Sequence, residues 1–189
     1  VATALRDEGT SFHYLPPGGS YWQDWRAPGS PGDIRSGCTF VYDAQDDVAL
    51  LCDGHNQYEE PVQSTWSYAL GGQKGWTNTF FLGLCGNDTP ALTRHVAVWD
   101  SKRHRMLVFG GLDAAYNRQN AVYAMDYQAG GWNCWSPLTT AGTPPTGRYG
   151  TAAIYDPVGD RMLVFGGSDT SGYPRDDLWQ LSLSGTPTW

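Results

Sequence analysis

The chain consists of short apolar runs separated by turn-forming residues, without helical periodicity. In the clearest stretch, residues 151–155 and 161–165 form two such runs, and residues 178–183 form a third. Proline and glycine in the intervening segment 156–160 predict a tight hairpin turn, with Gly159 in the left-handed position. After its first residue, the run 161–165 is continuously apolar. It therefore predicts a strand buried on both faces.

The same course of strands occurs twice more, earlier in the chain. Turn signals bound each run, which favours many short strands over helices. An N-terminal stretch also matches the last two strands of such a unit. The predicted strands are 39–42, 48–52, 66–70 and 76–82, then 96–99, 106–109, 121–125 and 132–138, with 12–15 and 21–26 before them.

A fixed spacing unites these units. Asp43, Asp100 and Asp156 are 57 and 56 residues apart, and a two-residue doublet ending in glycine follows each at the same distance. An aromatic residue comes twelve positions after each doublet. The doublets are Asp53-Gly54, Gly110-Gly111 and Gly166-Gly167, and the aromatics are Trp66, Tyr123 and Trp179. Self-similarity with this period predicts a repeat architecture in which each unit packs against the next.

These repeats resemble the kelch repeat of β-propellers. The resemblance rests on the doublets, the aromatic twelve residues later, a second tryptophan at Trp76 and Trp189, and the approach segment 147–150. It is weaker where Asp53 replaces the first glycine and Cys52 an aromatic, and where Leu92 replaces an arginine. The resemblance implies one four-stranded blade per repeat, arranged around a central channel.

We therefore expect an all-β fold of kelch-type β-propeller blades, each with four antiparallel strands, in a ring that one chain leaves incomplete. Residues 1–32 would supply the third and fourth strands of a preceding blade plus a linker. Blades would span 33–88, 89–145 and 146–189, the last lacking most of its fourth strand. Closed propellers have four to eight blades. The expected partners are therefore the remaining blades, from the same longer protein or from another copy.

Composition excludes several functions. The net charge is −7 with only 12 Lys and Arg, and the positive residues form no cluster. A nucleic-acid surface needs such a cluster, so no nucleic-acid partner is expected. The chain contains no run of 18 apolar residues, so no membrane insertion is expected. Nine Trp and eleven Tyr are expected to pack mainly within and between blades.

Four cysteines suggest disulfides. If Asp43 pairs with Asp47 across the first hairpin, Cys38 lies opposite Cys52, within bonding range. We expect a Cys38–Cys52 bridge and, by elimination, Cys85–Cys134. Disulfides would indicate a secreted, periplasmic or cell-surface protein. A glycosylation sequon at Asn87 is consistent with that setting, but Pro90 follows it directly.

The sequence contains no convincing catalytic or metal-binding pattern, so no cofactor is expected. His95 at the start of a strand is interpreted as structural, and His104 in a turn as solvated. Asp113 and Asp169 align with Asn56 after the doublets, where turn capping is the simplest interpretation. Galactose oxidase also has a kelch-like propeller, but this chain lacks a Tyr-His dipeptide and paired histidines in aligned loops.

The loops after the doublets vary in sequence on a common scaffold, which is typical of recognition surfaces. Tyrosine occurs in all three loops and arginine in two of them, and both are residue types that anchor such surfaces. The predicted ligand-binding residues are His55, Tyr58, Tyr116, Arg118, Tyr173 and Arg175.

We therefore predict an extracytoplasmic protein- or glycan-binding or assembly module without catalysis of its own. One alternative is the scaffold of a secreted carbohydrate-active or galactose oxidase-like enzyme whose catalytic residues lie elsewhere. Another is a self-assembling subunit that completes blades between chains.

Overall fold

A computed structural model describes residues 11–14, 23–26, 35–72, 75–79, 90–129 and 133–189. Within these ranges the regular structure is entirely β. No helix in the described part of the chain has the length and apolar character needed to span a bilayer. The strands are β1 (Ser11–Tyr14), β2 (Gln23–Arg26), β3 (Thr39–Asp43), β4 (Val48–Cys52), β5 (Thr65–Ala69), β6 (Gly75–Asn78), β7 (Val96–Asp100), β8 (Arg105–Phe109), β9 (Val122–Asp126), β10 (Cys134–Pro137), β11 (Arg148–Tyr149), β12 (Ala152–Asp156), β13 (Arg161–Phe165), β14 (Ser168–Asp169) and β15 (Leu178–Ser182).

Successive strands form antiparallel sheets, which we call blades. Blade 1 has the order β3-β4-β5-β6, and blade 2 has β7-β8-β9-β10. Blade 3 has β12-β13-β15, and Thr188 continues it by bridging to Ser182. β1 and β2 form a separate antiparallel hairpin, and β11 pairs with β14. The predicted all-β architecture of four-stranded antiparallel units in an open ring is confirmed.

The hydrophobic core lies between the blades. One cluster joins blades 1 and 2 around Leu50, Met106 and Trp135, and a second joins blades 2 and 3 around Phe109 and Met162. β4 is buried along its whole length because apolar side chains pack on both of its faces. β13 alternates between buried and more exposed positions. The prediction of two-sided burial for 161–165 therefore holds on only one face.

The hairpin register differs from the prediction by one residue. Asp156 pairs with Arg161, not Asp160, and Asp43 pairs with Val48. Four residues therefore form each turn. The left-handed backbone falls on its fourth residue, Asp160 (φ 49°), and not on Gly159. Aspartate tolerates this conformation, so glycine is not needed there.

The second residue of each doublet is glycine for a steric reason. At Gly111 (φ 92°), a Cβ would lie 2.8 Å from the Cβ of His95 and from the carbonyl oxygen of Thr93. The first doublet residue has a smaller positive φ, which is 45° at Asp53. Aspartate can adopt that conformation. The departure at position 53 is therefore compatible with the kelch pattern.

The sequence-based interpretations of His95 and His104 have different outcomes. His95 is buried, and its Nε2 lies 2.8 Å from the hydroxyl of Thr39 in blade 1, so its structural interpretation is confirmed. The expectation that His104 is solvated was wrong. Its Nε2 lies 2.8 Å from Asp43 of blade 1, and its Nδ1 donates to the carbonyl oxygen of Tyr127. The turn of blade 2 thus packs against that of blade 1.

Candidate functional site

A capped turn follows each doublet. Asn56 Oδ1 accepts hydrogen bonds from two backbone N–H groups, and Asp113 Oδ1 accepts two in the same way. Asp169 Oδ1 accepts the N–H of Ser171. The turn-capping interpretation of these three residues is confirmed. Because the caps hold the backbone, the loop side chains project from a defined framework.

The three predicted tyrosines are exposed on these loops. Tyr58 and Tyr173 are each 73% exposed, and Tyr116 is 53% exposed. The hydroxyl of Tyr116 lies 3.4 Å from the carbonyl oxygen of Glu59, which links the loops of blades 1 and 2. The tyrosines are therefore exposed to solvent, and their part in ligand binding stays a prediction.

The two predicted arginines have different surroundings. Arg175 is tied to its own loop, with its Nε 2.6 Å from Asp169 Oδ2 and its Nη2 3.2 Å from the hydroxyl of Ser171. Hydrogen bonds from Ser171 and Arg175 hold the pKa of Asp169 well below its ordinary value. The charge of Arg175 is therefore already compensated. Its main role is to brace the loop.

Arg118 belongs to a different cluster. Its guanidinium lies 5.3 Å from the ring centroid of Tyr149, and that of Arg94 lies 5.8 Å from the same centroid. Both distances are within cation–π range. Among the residues that the structure describes, neither guanidinium forms an ion pair with a carboxylate, and Arg118 Nε is buried without a hydrogen-bond partner. We call Arg94, Arg118 and Tyr149 the arginine platform.

Sequence reasoning missed Arg94 and Tyr149 as candidate contacts. A signal was present, because Arg94 aligns with Gly37 and Gly150 and shares their left-handed backbone, with φ at 55°. A large charged residue at a position that is glycine in the other repeats indicates that its side chain has a specific role there. The platform can bind an anionic group, because two uncompensated guanidiniums face one aromatic ring.

His55 does not join this cluster. It is buried, with Nε2 2.6 Å from the hydroxyl of Ser36 and Nδ1 3.4 Å from that of Thr93. Both ring nitrogens therefore contact hydroxyls within the domain. We do not carry His55 into the proposed ligand contact.

The prediction of a Cys38–Cys52 bridge was wrong. Both thiols are free, and the register places Thr39, not Cys38, opposite Cys52. Burial raises the pKa of Cys52 well above its ordinary value, which makes the thiolate unfavourable. Cys134 is disulfide-bonded, but its predicted partner Cys85 lies outside the described residues, as does Asn87. That pairing therefore stays a prediction.

One group among the described residues has metal-ligand chemistry. Potential ligand atoms of Asp43, Asp46 and His104 lie within 4.8 Å of one another. His104 already contacts both carboxylates, at 2.8 and 3.5 Å, and it comes from the next blade. We interpret the group as a hydrogen-bonded contact between blades 1 and 2.

Comparison with protein families supports this architecture. A model described as the KLHDC2/KLHL20/DRC7 Kelch-repeats domain matches residues 45–189. The solved structure of YjhT is similar with a TM-score of 0.66 at 13% identity, over 92% of this chain and 50% of that one. At this identity the likeness shows the fold alone.

Two curated proteins of Chlamydomonas reinhardtii are similar in sequence. Dynein regulatory complex subunit 7 is 34% identical over 87 residues, which are 46% of this chain and 7% of that protein. Dynein alpha chain, flagellar outer arm, is 35% identical over 100 residues, which are 52% of this chain and 2% of that protein. The chain thus matches only a small part of the length of either relative.

Proposed function

Because the chain belongs to the kelch-repeat family, we propose that it is a protein-binding propeller module whose loop end recognises an acidic segment of its partner. Kelch-repeat domains mediate protein–protein interactions. The observation that carries the specific proposal is the arginine platform. In a chain of net charge −7, Arg94 and Arg118 share one tyrosine and have no carboxylate partner among the described residues.

The surroundings of the platform suit recognition of a peptide. Arg118 lies at the end of the blade 2 loop, where its backbone forms an antiparallel β-bridge with Leu112. Tyr116 projects from the same loop, with 53% of its surface exposed. Aromatic and arginine side chains commonly supply the main binding energy of protein interfaces. The platform would supply charge, and the exposed tyrosines would supply apolar contact.

Binding of a fluorescent hexaglutamate peptide tests the proposal. We expect polarisation to show binding that weakens as salt rises, because exposed charges are screened. The double substitution Arg94→Gln with Arg118→Gln should reduce affinity at least tenfold, since a hydrogen bond to a charged group is worth about 1.5–3 kcal/mol.

The matched control is Arg161→Gln, which removes the arginine that begins β13 in blade 3, at the end of that strand opposite the loops. It should leave peptide affinity unchanged. Equal loss in both variants would indicate a general charge effect and contradict the proposal. So would equal binding of hexaglutamate and an uncharged peptide of the same length.

Glycan binding stays a second candidate, favoured by the strong exposure of Tyr58 and Tyr173. That alternative would be supported if the protein binds oligosaccharides, if Tyr58→Ala and Tyr173→Ala abolish this binding, and if the arginine variants retain it. The extracytoplasmic location also stays a proposal. It now rests on the disulfide of Cys134, because Cys38 and Cys52 are free.

A further inference from the structure

Each blade has the same antiparallel bridge between the approach to its doublet and the residue that follows the doublet. The bridged pairs are Ser36 with His55 in blade 1, Thr93 with Leu112 in blade 2, and Tyr149 with Ser168 in blade 3. All three bridges form although their side chains differ completely. The scaffold therefore needs no imidazole at this position, and the fold alone does not explain His55.

Ser36 and His55 have the geometry of a serine nucleophile and its general base. Oγ of Ser36 lies 2.6 Å from Nε2 of His55, a distance at which an imidazole takes a proton from a hydroxyl. The backbone fixes this approach, because the N–H of each residue donates to the carbonyl oxygen of the other, at 3.0 and 2.9 Å. Ser36 is exposed and His55 is buried, so the hydroxyl is accessible while the imidazole is held in place.

Thr93 orients the imidazole from its other side. Oγ1 of Thr93 lies 3.4 Å from Nδ1 of His55 and can accept a hydrogen bond from it. A proton on Nδ1 leaves the lone pair of Nε2 directed at Ser36, which is the tautomer that a general base requires. Gly37 makes room for this contact, because a Cβ there would lie only 2.5 Å from Oγ1 of Thr93.

Gly37 also provides a backbone donor directly after the nucleophile. Among the described residues, no carbonyl oxygen accepts its N–H. The N–H of the residue that follows a nucleophilic serine is a common donor to the oxyanion that forms during acyl transfer. A nucleophile, a base, a group that orients the base and an oxyanion donor are therefore adjacent at the start of blade 1.

We infer that Ser36 and His55 are a catalytic pair that hydrolyses carboxylic esters, with Thr93 as a positioning residue. Oγ of Ser36 attacks the carbonyl carbon of the ester while its proton passes to Nε2 of His55. The N–H of Gly37 stabilises the resulting oxyanion. The intermediate collapses when the bond to the alcohol oxygen breaks, and the departing alcohol takes the proton from Nε2. Water then attacks the acyl-serine, giving its proton to Nε2, which returns that proton to Oγ of Ser36 as the carboxylic acid leaves.

This activity goes beyond the sequence-based prediction of a module without catalysis. Ser36 and His55 are 19 residues apart and match no sequence motif, so only the bridge between them reveals the pair. The inference uses neither guanidinium of the arginine platform, so it stands or falls independently of the proposed peptide site. Because the Ser36 hydroxyl is exposed, a small activated ester such as p-nitrophenyl acetate is a suitable probe.

Covalent labelling with a fluorophosphonate tests whether the serine is activated, because an activated Oγ displaces fluoride and forms a bond to phosphorus. Intact mass should show one adduct per chain, and peptide mapping should locate it at Ser36. Hydrolysis of p-nitrophenyl acetate should fall at least a hundredfold in Ser36→Ala and in His55→Gln, since a general base contributes about 10²–10⁴-fold to such a rate. The matched control Ser101→Ala, which removes an exposed serine from the hairpin turn of blade 2, should keep both the label and the rate.

Variants of Thr93 separate positioning from packing. Thr93→Val keeps the size of the side chain and should lower the rate about tenfold, because a lost hydrogen bond is worth about 1 kcal/mol or more. Thr93→Ser should retain most of the rate, since it keeps the hydroxyl.

The melting temperature of Ser36→Ala should match that of wild type, because the side chain is exposed. Absence of labelling in the wild type would overturn the inference. Equal labelling of Ser36→Ala, or a rate that survives His55→Gln, would overturn it as well.

Discussion

At the scale of single residues, His95 shows how packing between blades sets a protonation state. The residue precedes β7, and its ring is buried against Thr39 of the neighbouring blade. Burial lowers its pKa to about 4. The folded protein therefore holds this imidazole neutral, whereas the unfolded chain protonates it near pH 6.5.

We predict that His95 makes the protein less stable in mild acid. Between pH 6.5 and 4 the unfolded state binds a proton that the folded state does not, so the free energy of unfolding falls as pH falls. The loss attributable to this group is about 3 kcal/mol. Urea denaturation at pH 7 and pH 4 should show a smaller decrease for His95→Gln than for wild type. Equal decreases would contradict the assignment.

At the scale of elements, an arginine organises the approach to two of the three doublets, and Arg148 is the buried one. Arg148 in β11 forms hydrogen bonds with the carbonyl of Gly166 and with both carboxylate oxygens of Asp177. Arg35 repeats this with the carbonyl of Asp53. In blade 2 the equivalent is Leu92, which is buried in the core between blades 1 and 2. In blade 2, apolar packing of Leu92 replaces the hydrogen bonds that the arginine forms in the other blades.

Removal of the buried arginine should be costly. We expect Arg148→Gln to lower the free energy of unfolding by on the order of 3 kcal/mol, because the Gly166 carbonyl loses its arginine donor and Asp177 keeps only the indole N–H of Trp179. The control is Arg161→Gln, which removes a more exposed pair with Asp156 and should cost about 0–1 kcal/mol. Thermal or urea denaturation that found equal losses would argue against this role of Arg148.

At the scale of the whole molecule, equivalent residues differ in burial according to whether another blade covers them. Phe109 and Phe165 both end the central strand of their blade. Phe109 is fully buried, whereas Phe165 is 51% exposed. Their sequence contexts are nearly identical, since Arg-Met-Leu-Val-Phe occurs in both β8 and β13. The difference arises from the arrangement of blades alone.

This pair predicts unequal costs for the same substitution. Phe109→Ala should destabilise the protein by about 3–5 kcal/mol, because it opens a cavity in the core between blades 2 and 3. Phe165→Ala should cost about 1 kcal/mol, since the side chain is already half in water. Denaturation curves of the two variants provide the comparison. Equal large losses would indicate that blade 3 is covered on both faces.

The blade strands, their grouping into four-stranded units and the capped turns after the doublets followed from the sequence, whereas the short strands β11 and β14 did not. These features depend on local patterns, such as apolar runs, glycine spacing and side-chain caps like Asp113, which recur in each repeat. The exposure of Tyr58, Tyr116 and Tyr173 followed as well, because polar loops on a repeated scaffold lie at its surface.

Only the tertiary structure decided the hairpin register, the free thiols, the position of His104 and the arginine platform. A left-handed fourth turn residue shifted the register by one, and this separated Cys38 from Cys52. His104, Arg94 and Arg118 gain their partners from neighbouring blades. Such contacts join residues far apart in the sequence, and no local pattern encodes which side chains meet across a blade junction.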